Sequence, residues 1–238
     1  MGFIGGFETV FGIAAICGLE AEARLLRPLG IDVTVTAGDT ARGMEAAERA
    51  AVPGGRAQVS FGIAGGIDPA LPSGALLLPR SVRSENGEVF SADETLRTAL
   101  AGALLQAGLS FAEGEMLGLD QVAMTRAAKA ALFAQSGAVA VDTESLFVAR
   151  AAHRAGVPFL VLRAVADPAA RELPPAASVG LDAGGRVAFG PVLRSVARSP
   201  KQIPGLIAVA RDTRRALAVL EAARDAAATV FSARPSIG

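Results

Sequence analysis

The chain has 238 residues, 51% of them hydrophobic, rich in Ala, Val and Leu and without Trp or Tyr, which is enough to bury a full core as one domain. Its 23 Lys and Arg balance 23 Asp and Glu, so no global field draws it to nucleic acid. One cysteine, Cys17, and one histidine, His153, exclude an internal disulfide, a cysteine-based metal site and a multi-histidine zinc site.

Mean hydropathy is high at +0.42, which raises the question of membranes. The longest apolar stretches, Val10 to Leu19 and Gly74 to Pro79, fall short of the roughly 20 residues a bilayer-spanning helix needs. The N-terminus lacks the basic start of a secretory signal, and Glu8 precedes its apolar run. The expectation is a cytoplasmic protein that touches a membrane or handles an apolar ligand.

In chain order, Val10 to Cys17 predicts a buried first strand, and Glu20 to Leu29 the helix it feeds, closed by Gly30. Asp32 to Ala37 alternates β-branched residues as a second strand does; Gly38-Asp39-Thr40 then supplies a turn and cap for a helix over Ala41 to Ala51. Pro53-Gly54-Gly55 breaks the chain before a strand over Ala57 to Ile63, which runs into a glycine turn at Gly62 to Gly66. Another strand follows over Ala75 to Val82, with a hairpin signal at Ser84-Glu85-Asn86-Gly87. Asp93 to Ala107 predicts a helix, Glu113 to Leu119 a strand and Thr125 to Gln135 a helix.

Ala138 to Val141 is an apolar strand delivering Asp142 and Glu144 to the start of a helix over Thr143 to Ala155, which Gly156 and Pro158 end. Phe159 to Ala166 is a continuously apolar strand but for Arg163, and it stops at Asp167. Pro168 to Gly185 is rich in Pro, Ala and Gly and predicts a loop over the site; two helices, with Pro200 and Pro204 between them, finish the chain. Strands alternating with helices of about ten residues specify an α/β fold, expected as a single unit over 1–238 with C-terminal helices from about 186.

Acids at adjoining strand ends, beside a backbone turn able to approach a ligand closely, point to a small-molecule site. Asp142 and Glu144 sit at a helix start, where unpaired N–H groups favour negative charge, so both are expected ionised. Asp167 closes an apolar strand and precedes Pro168, which donates no N–H, so desolvation is expected to raise its pKa. Carboxylates pushed in opposite directions let one site hold a proton donor beside a charge stabiliser. Cleavage of a nucleoside's N-glycosidic bond needs that pair: an anion near the ribose hydroxyls and a proton for the departing purine. Each motif alone also fits a simpler role: a tight connection for the glycines, helix capping for Asp142 and Glu144, and a turn with Pro168 for Asp167. Cys17 reads as inert core and His153 as a surface residue.

Over most of its length the chain resembles the nucleoside phosphorylase and nucleosidase superfamily. Gly62-Ile63-Ala64-Gly65-Gly66-Ile67-Asp68-Pro69 resembles its glycine turn, Val141-Asp142-Thr143-Glu144-Ser145 its ribose-binding carboxylate motif, and Arg163-Ala164-Val165-Ala166-Asp167 the strand ending in its base-protonating Asp. Gly18-Leu19-Glu20-Ala21-Glu22 is similar to the segment that carries the water-activating Glu of adenosine-type nucleosidases. The resemblance implies a three-layer α/β/α fold with a mixed central sheet. It assigns Asp167 to base protonation and Glu22 to the nucleophile. Glu144, Thr143 and Asp142 would hold ribose, Ser60, Gly62, Ala64 and Gly65 the phosphate or nucleophile, and Gln121 and Val122 the base. It implies no metal or organic cofactor, inorganic phosphate as co-substrate if phosphate is the nucleophile, and a homo-oligomer.

Within the superfamily, the run Ala166 to Pro175 and the segment Ser199-Pro200-Lys201-Gln202-Ile203-Pro204 are similar to the hopanoid-associated phosphorylases. That implies an amphipathic substrate, adenosylhopane, cleaved by phosphorolysis, with Met1 to Phe11 a candidate wall of the 5′ pocket. Against phosphate, Ser60 and Ile63 stand where phosphorylases place an Arg and a Ser. An acid at Glu22 also suits water, because a carboxylate repels a phosphate dianion. Between Arg186 and Arg215 seven basic residues face one acid, Asp212, which fits either a solvated helical face or peripheral contact with anionic lipid. A non-catalytic module binding nucleosides or lipids is the alternative of another class. A dinucleotide-dependent oxidoreductase fits poorly, because Cys17-Gly18-Leu19-Glu20 lacks phosphate-binding glycines.

Overall fold

A computed structural model of the protein describes residues 12–178, 184–186 and 189–231; the candidate 5′-pocket wall at Met1 to Phe11 lies outside them. Among the described residues nine strands form one sheet. β1 (Ile13–Cys17) is buried at every position, as a strand covered on both faces must be. It pairs in parallel with β2 (Asp32–Val35) and with β3 (Ala57–Gly66), and β3 pairs in parallel with β9 (Phe159–Asp167). On the other side of the molecule β5 (Ser81–Ser84) is parallel to β7 (Glu115–Gly118), which is parallel to β8 (Ala140–Asp142). Antiparallel pairs join β3 to β8, β4 (Leu76–Leu77) to β9, and β5 to β6 (Val89–Ser91). The sheet is therefore mixed and mostly parallel.

Alternation along β1 sorts the two cores. Ile13, Ala15 and Cys17 face a cluster with Leu26 of α1 (Glu20–Leu26), Leu100 of α3 (Glu94–Gln106) and Leu220 of α8 (Ile203–Phe231). Ile16 faces the opposite cluster, with Ala47 of α2 (Thr40–Ala50) and Phe147 and Val148 of α5 (Ser145–Ala155). Helices thus cover both faces, as a three-layer α/β/α fold requires. Asp39, Asp93 and Thr125 cap α2, α3 and α4 (Arg126–Ser136) by accepting backbone N–H bonds, and Gly30, Gly137 and Gly156 take the left-handed conformation where helical segments end.

Four expectations of the fold need correction. The strand predicted over Ala75 to Val82 is two short strands with Pro79 between them; proline has no N–H to donate to a ladder. Pro168 to Gly185 is not wholly loop, since α6 (Pro175–Ser178) lies within it. Pro204 lies in the first turn of α8, where a missing N–H costs nothing, so only Pro200 separates α8 from α7 (Phe189–Arg198). Among the described residues no helix is long and apolar enough to cross a membrane.

The glycine segment is also not a turn. Gly62 to Gly66 continues β3, with Gly62 at φ +153° and a register shift between Ala64 and Gly65. On one side β3 pairs with β9 almost throughout. On the other it pairs with β1 only as far as Ser60, and with β8 only at Gly65 and Gly66. The sheet forks between those points, and the backbone of Ile63 faces the gap. An unpaired strand edge inside a protein needs polar partners, and the fork receives them from acidic and basic side chains.

Candidate active site

Glu22 fills the fork from α1. Its Oε1 accepts the Ile63 N–H at 2.8 Å, and its Oε2 accepts the Leu19 N–H at the start of its own helix, also at 2.8 Å. Its side chain sits where a Cβ on residue 62 would be, with Glu22 Cδ 2.4 Å from that position. The Gly62 conformation is thus coupled to the placement of this acid. Burial pushes the Glu22 carboxyl up to about 7, and Glu144 adds to the rise against the attraction of Arg163.

Arg163 occupies the fork from β9. Its side chain is almost wholly buried, and its Nη2 lies 2.7 Å from Ser60 Oγ, 2.8 Å from Asp142 Oδ2 and 3.2 Å from Glu144 Oε2. Its Nη1 donates to the Ile63 carbonyl at 3.1 Å. Ile63 therefore spends both backbone groups at the fork, its N–H on Glu22 and its C=O on Arg163. The guanidinium is set among the carboxyls of Asp142, Glu144 and Glu22.

Asp142 caps α5: it accepts the Ser145 N–H at 3.1 Å and the Ser145 hydroxyl at 2.5 Å. Glu144 is buried beside Gly18, whose absent side chain would fall 3.0 Å from Glu144 Oε1. The Thr143 hydroxyl donates to the same Oε1 at 2.8 Å. The sequence led to the expectation that Glu144 stays ionised at the helix start. Glu144 makes no cap, and burial raises its pKa, opposed by Arg163.

Asp167 ends β9 opposite Gly65, and its Oδ2 lies 3.8 Å from where a Cβ on that glycine would stand. Gly65 is also the residue that pairs with Val141. The strand leading to Asp142 and the strand leading to Asp167 thus flank one residue of β3. Burial raises the Asp167 carboxyl as expected, but the surroundings are not only apolar. Lys129 Nζ, from α4, sits 2.5 Å from Oδ2 with its side chain fully buried and opposes the rise. Asp167 Oδ1 is buried with no hydrogen-bond partner among the described residues. The loop that follows is tethered by Arg171, which binds Asp212 Oδ2 of α8 through Nε at 2.9 Å and Nη2 at 2.6 Å.

The remaining expected site residues lie as follows. Ser60 is fully buried beneath the fork, bonded to Arg163 and 3.0 Å from Ser145 Oγ. Ala64 is buried in the core on the β4 and β9 side. Gln121 and Val122 lie exposed in the bend between β7 and α4. Cys17 is buried, which pushes its thiol well up, and His153 is exposed with its ring edge on Phe90. Among the described residues no group of three or more His, Cys, Asp or Glu is placed to hold a metal ion.

Sequence reasoning missed Arg163 and Lys129 as partners of the carboxylates. Arg163 carried a signal: a lone charge within the apolar strand Phe159 to Ala166 must be paired when buried. Lys129 carried none, because a lysine in an Ala-rich helix is ordinarily solvated.

A family model, the phosphorylase superfamily, matches the chain over residues 33–188. The chain belongs to the phosphorylase superfamily. As a member it is an enzyme of the nucleoside phosphorylase or nucleosidase type. Asp142, Glu144, Arg163 and Asp167 fall inside the matched stretch, and Glu22 precedes it. The fold is similar to that of 5′-methylthioadenosine/S-adenosylhomocysteine nucleosidase from Neisseria meningitidis, solved with methylthio-immucillin-A (TM-score 0.68, 17% identity, 92% of this chain and 99% of that one). It is also similar to the Helicobacter pylori nucleosidase of the same name, solved with butyl-thio-DADMe-Immucillin-A (0.63, 15%, 92% and 99%). Futalosine hydrolase from Helicobacter pylori matches comparably (0.65, 16%, 91% and 98%). No curated protein matches the chain.

Proposed function

We propose that the protein cleaves the N-glycosidic bond of a 5′-substituted adenosine, with water as the nucleophile, and releases adenine. The single observation that carries this reading is that Gly65 of β3 is flanked on one side by the strand bearing Asp142 and on the other by Asp167. The antiparallel β8 and the parallel β9 thereby bring Asp142 and Asp167 to the two sides of the same stretch of β3.

In this reading Asp167 passes a proton to N7 of the purine. The C1′–N9 bond breaks with its electron pair going to the base. The positive charge left on the ribose is met by Glu144, which Arg163 and Thr143 orient toward the sugar hydroxyls. Glu22 takes a proton from water as its oxygen bonds to C1′. Proton donation and charge stabilisation suffice, so no metal or organic cofactor is required. Water is favoured over phosphate because the fork presents carboxyls, the Ile63 N–H is spent on Glu22, and Ser60 is bonded to Arg163. Arg24 of α1 is largely exposed and lies 3.3 Å from Glu20.

The motif resemblance at Ala166 to Pro175 and Ser199 to Pro204 supports adenosylhopane as the substrate. The basic run from Arg186 to Arg215 supports contact with a membrane that holds such a lipid; its one acid, Asp212, is buried against Arg171.

The test is adenine release from 5′-alkyl adenosines in buffer with and without phosphate. Equal rates in both are expected. A rate that depends on phosphate overturns the hydrolytic assignment, and intact substrate after prolonged incubation overturns the reaction altogether.

A further inference from the structure

Lys129 is a buried cation whose protons are all accounted for. Besides Asp167 Oδ2 at 2.5 Å, its Nζ meets the carbonyls of Arg171 at 3.0 Å, Pro168 at 3.2 Å and Asp167 itself at 3.4 Å. An ammonium has three protons to donate and no lone pair. Four acceptors around it use all three, and one N–H must point at Oδ2.

That contact has a consequence for the acid. The lysine N–H takes up the side of Oδ2 that faces Nζ, 2.5 Å away, and an ammonium binds an oxygen more strongly when that oxygen carries the negative charge. While Lys129 is charged, a proton on Asp167 is therefore favoured on Oδ1, the buried atom without a partner among the described residues. We propose that Lys129 is a positioning residue, which fixes the transferable proton of Asp167 on Oδ1 and holds Oδ2 as the charged end once that proton has left.

The proposal rests on the reading of Asp167 as the acid for the departing base and deepens it. The proton on Oδ1 passes to the base nitrogen, the O–H electron pair stays on the carboxylate, and Lys129 keeps its own protons throughout. The other charged groups facing Asp167 are Arg171, in the loop that follows it, and Asp212 on α8. These two bind one another, so their fields on Asp167 largely offset. Lys129 is left as the decisive neighbour. Burial raises the acid, and Lys129 opposes that rise by favouring the ionised form.

The test combines titration and kinetics in the full chain. Carboxyl-carbon NMR of Asp167 is followed with pH in wild type, Lys129→Gln, Lys129→Met and Lys129→Arg. Loss of the charge in the Gln and Met variants is expected to raise the Asp167 midpoint by roughly one pH unit or more, with Arg restoring it. The alkaline limb of adenine release is expected to move by the same amount, with kcat reduced and KM little changed. Midpoints equal in wild type and the neutral variants overturn the proposal. In wild type the Lys129 Nζ resonance is expected to shift at the Asp167 midpoint and not in Asp167→Asn; a flat trace overturns the proposal even if the neutral variants do not fold. Coupled titration without adenine release sinks the reaction reading and spares the pairing, whereas release without coupling sinks the pairing.

Discussion

The carboxyl of Glu22 stands in the space that any side chain on residue 62 would claim, with Cδ 2.4 Å from the position of that absent Cβ. The glycine sits at φ +153°, a conformation L-residues rarely adopt. Backbone shape and acid placement are therefore one arrangement. Gly62→Ala is expected to lose about 1–3 kcal/mol of stability and to displace Glu22 from the Ile63 N–H. Urea denaturation and adenine-release assays on the same sample check both effects; wild-type activity would show that Glu22 is not held by this fit.

Glu22 also sets an expected pH dependence. Its carboxyl is pushed up to about 7, so below that pH it is protonated and unable to take a proton from water. Rate should therefore rise with pH through about 7 on the acid side. Glu22→Gln is expected to cut turnover by roughly 10²-fold or more and to abolish that limb. A pH–rate profile of both proteins is the measurement.

Asp167 should govern the opposite limb. Its carboxyl is raised by burial, and in the proposed reaction it acts in its protonated form, so rate is expected to fall as pH rises through its midpoint. Asp167→Asn should lower turnover at least roughly 10²-fold with an unchanged circular dichroism spectrum. A smaller loss would assign base protonation to another group.

The fold was readable because the strand and helix periods alternate along the chain, and most elements fall within a few residues of expectation. Two kinds of feature were not. The glycines after Ile63 suggest a turn on composition, but in space their small size lets β3 continue past the end of β1 and take up β8. Sequence pattern does not separate these outcomes, since a glycine run satisfies both. At the site, Asp167 was legible because an apolar strand followed by proline leaves a carboxyl little solvation. Its lysine was not, because the contact between Lys129 and Asp167 spans separate elements and is fixed by packing rather than spacing. Glu144 illustrates the same limit: a helix-start position predicts easy ionisation, while its neighbours Gly18 and Arg163 bury it.

Arg163 is where stability and site coincide. Its guanidinium is the counter-charge to buried Asp142 and Glu144. Arg163→Met should leave those carboxylates uncompensated and cost about 3–5 kcal/mol. The loss should be larger at pH 8 than at pH 5, because protonation relieves the stranded acids, whose burial already raises Glu144. Chemical denaturation at the two pH values reads the difference; equal losses would mean that Arg163 contributes packing rather than charge.

The bond between Arg171 and Asp212 bears on how small a working version of this protein can be. The stretch recognised as the superfamily ends at residue 188, so Asp212 lies beyond it. Trimming the chain there would retain every carboxyl of the pocket yet unmoor the segment whose carbonyls seat the lysine behind the acid. The last long helix is thus more than a cover for the apolar layer beneath it: it anchors the loop that follows Asp167.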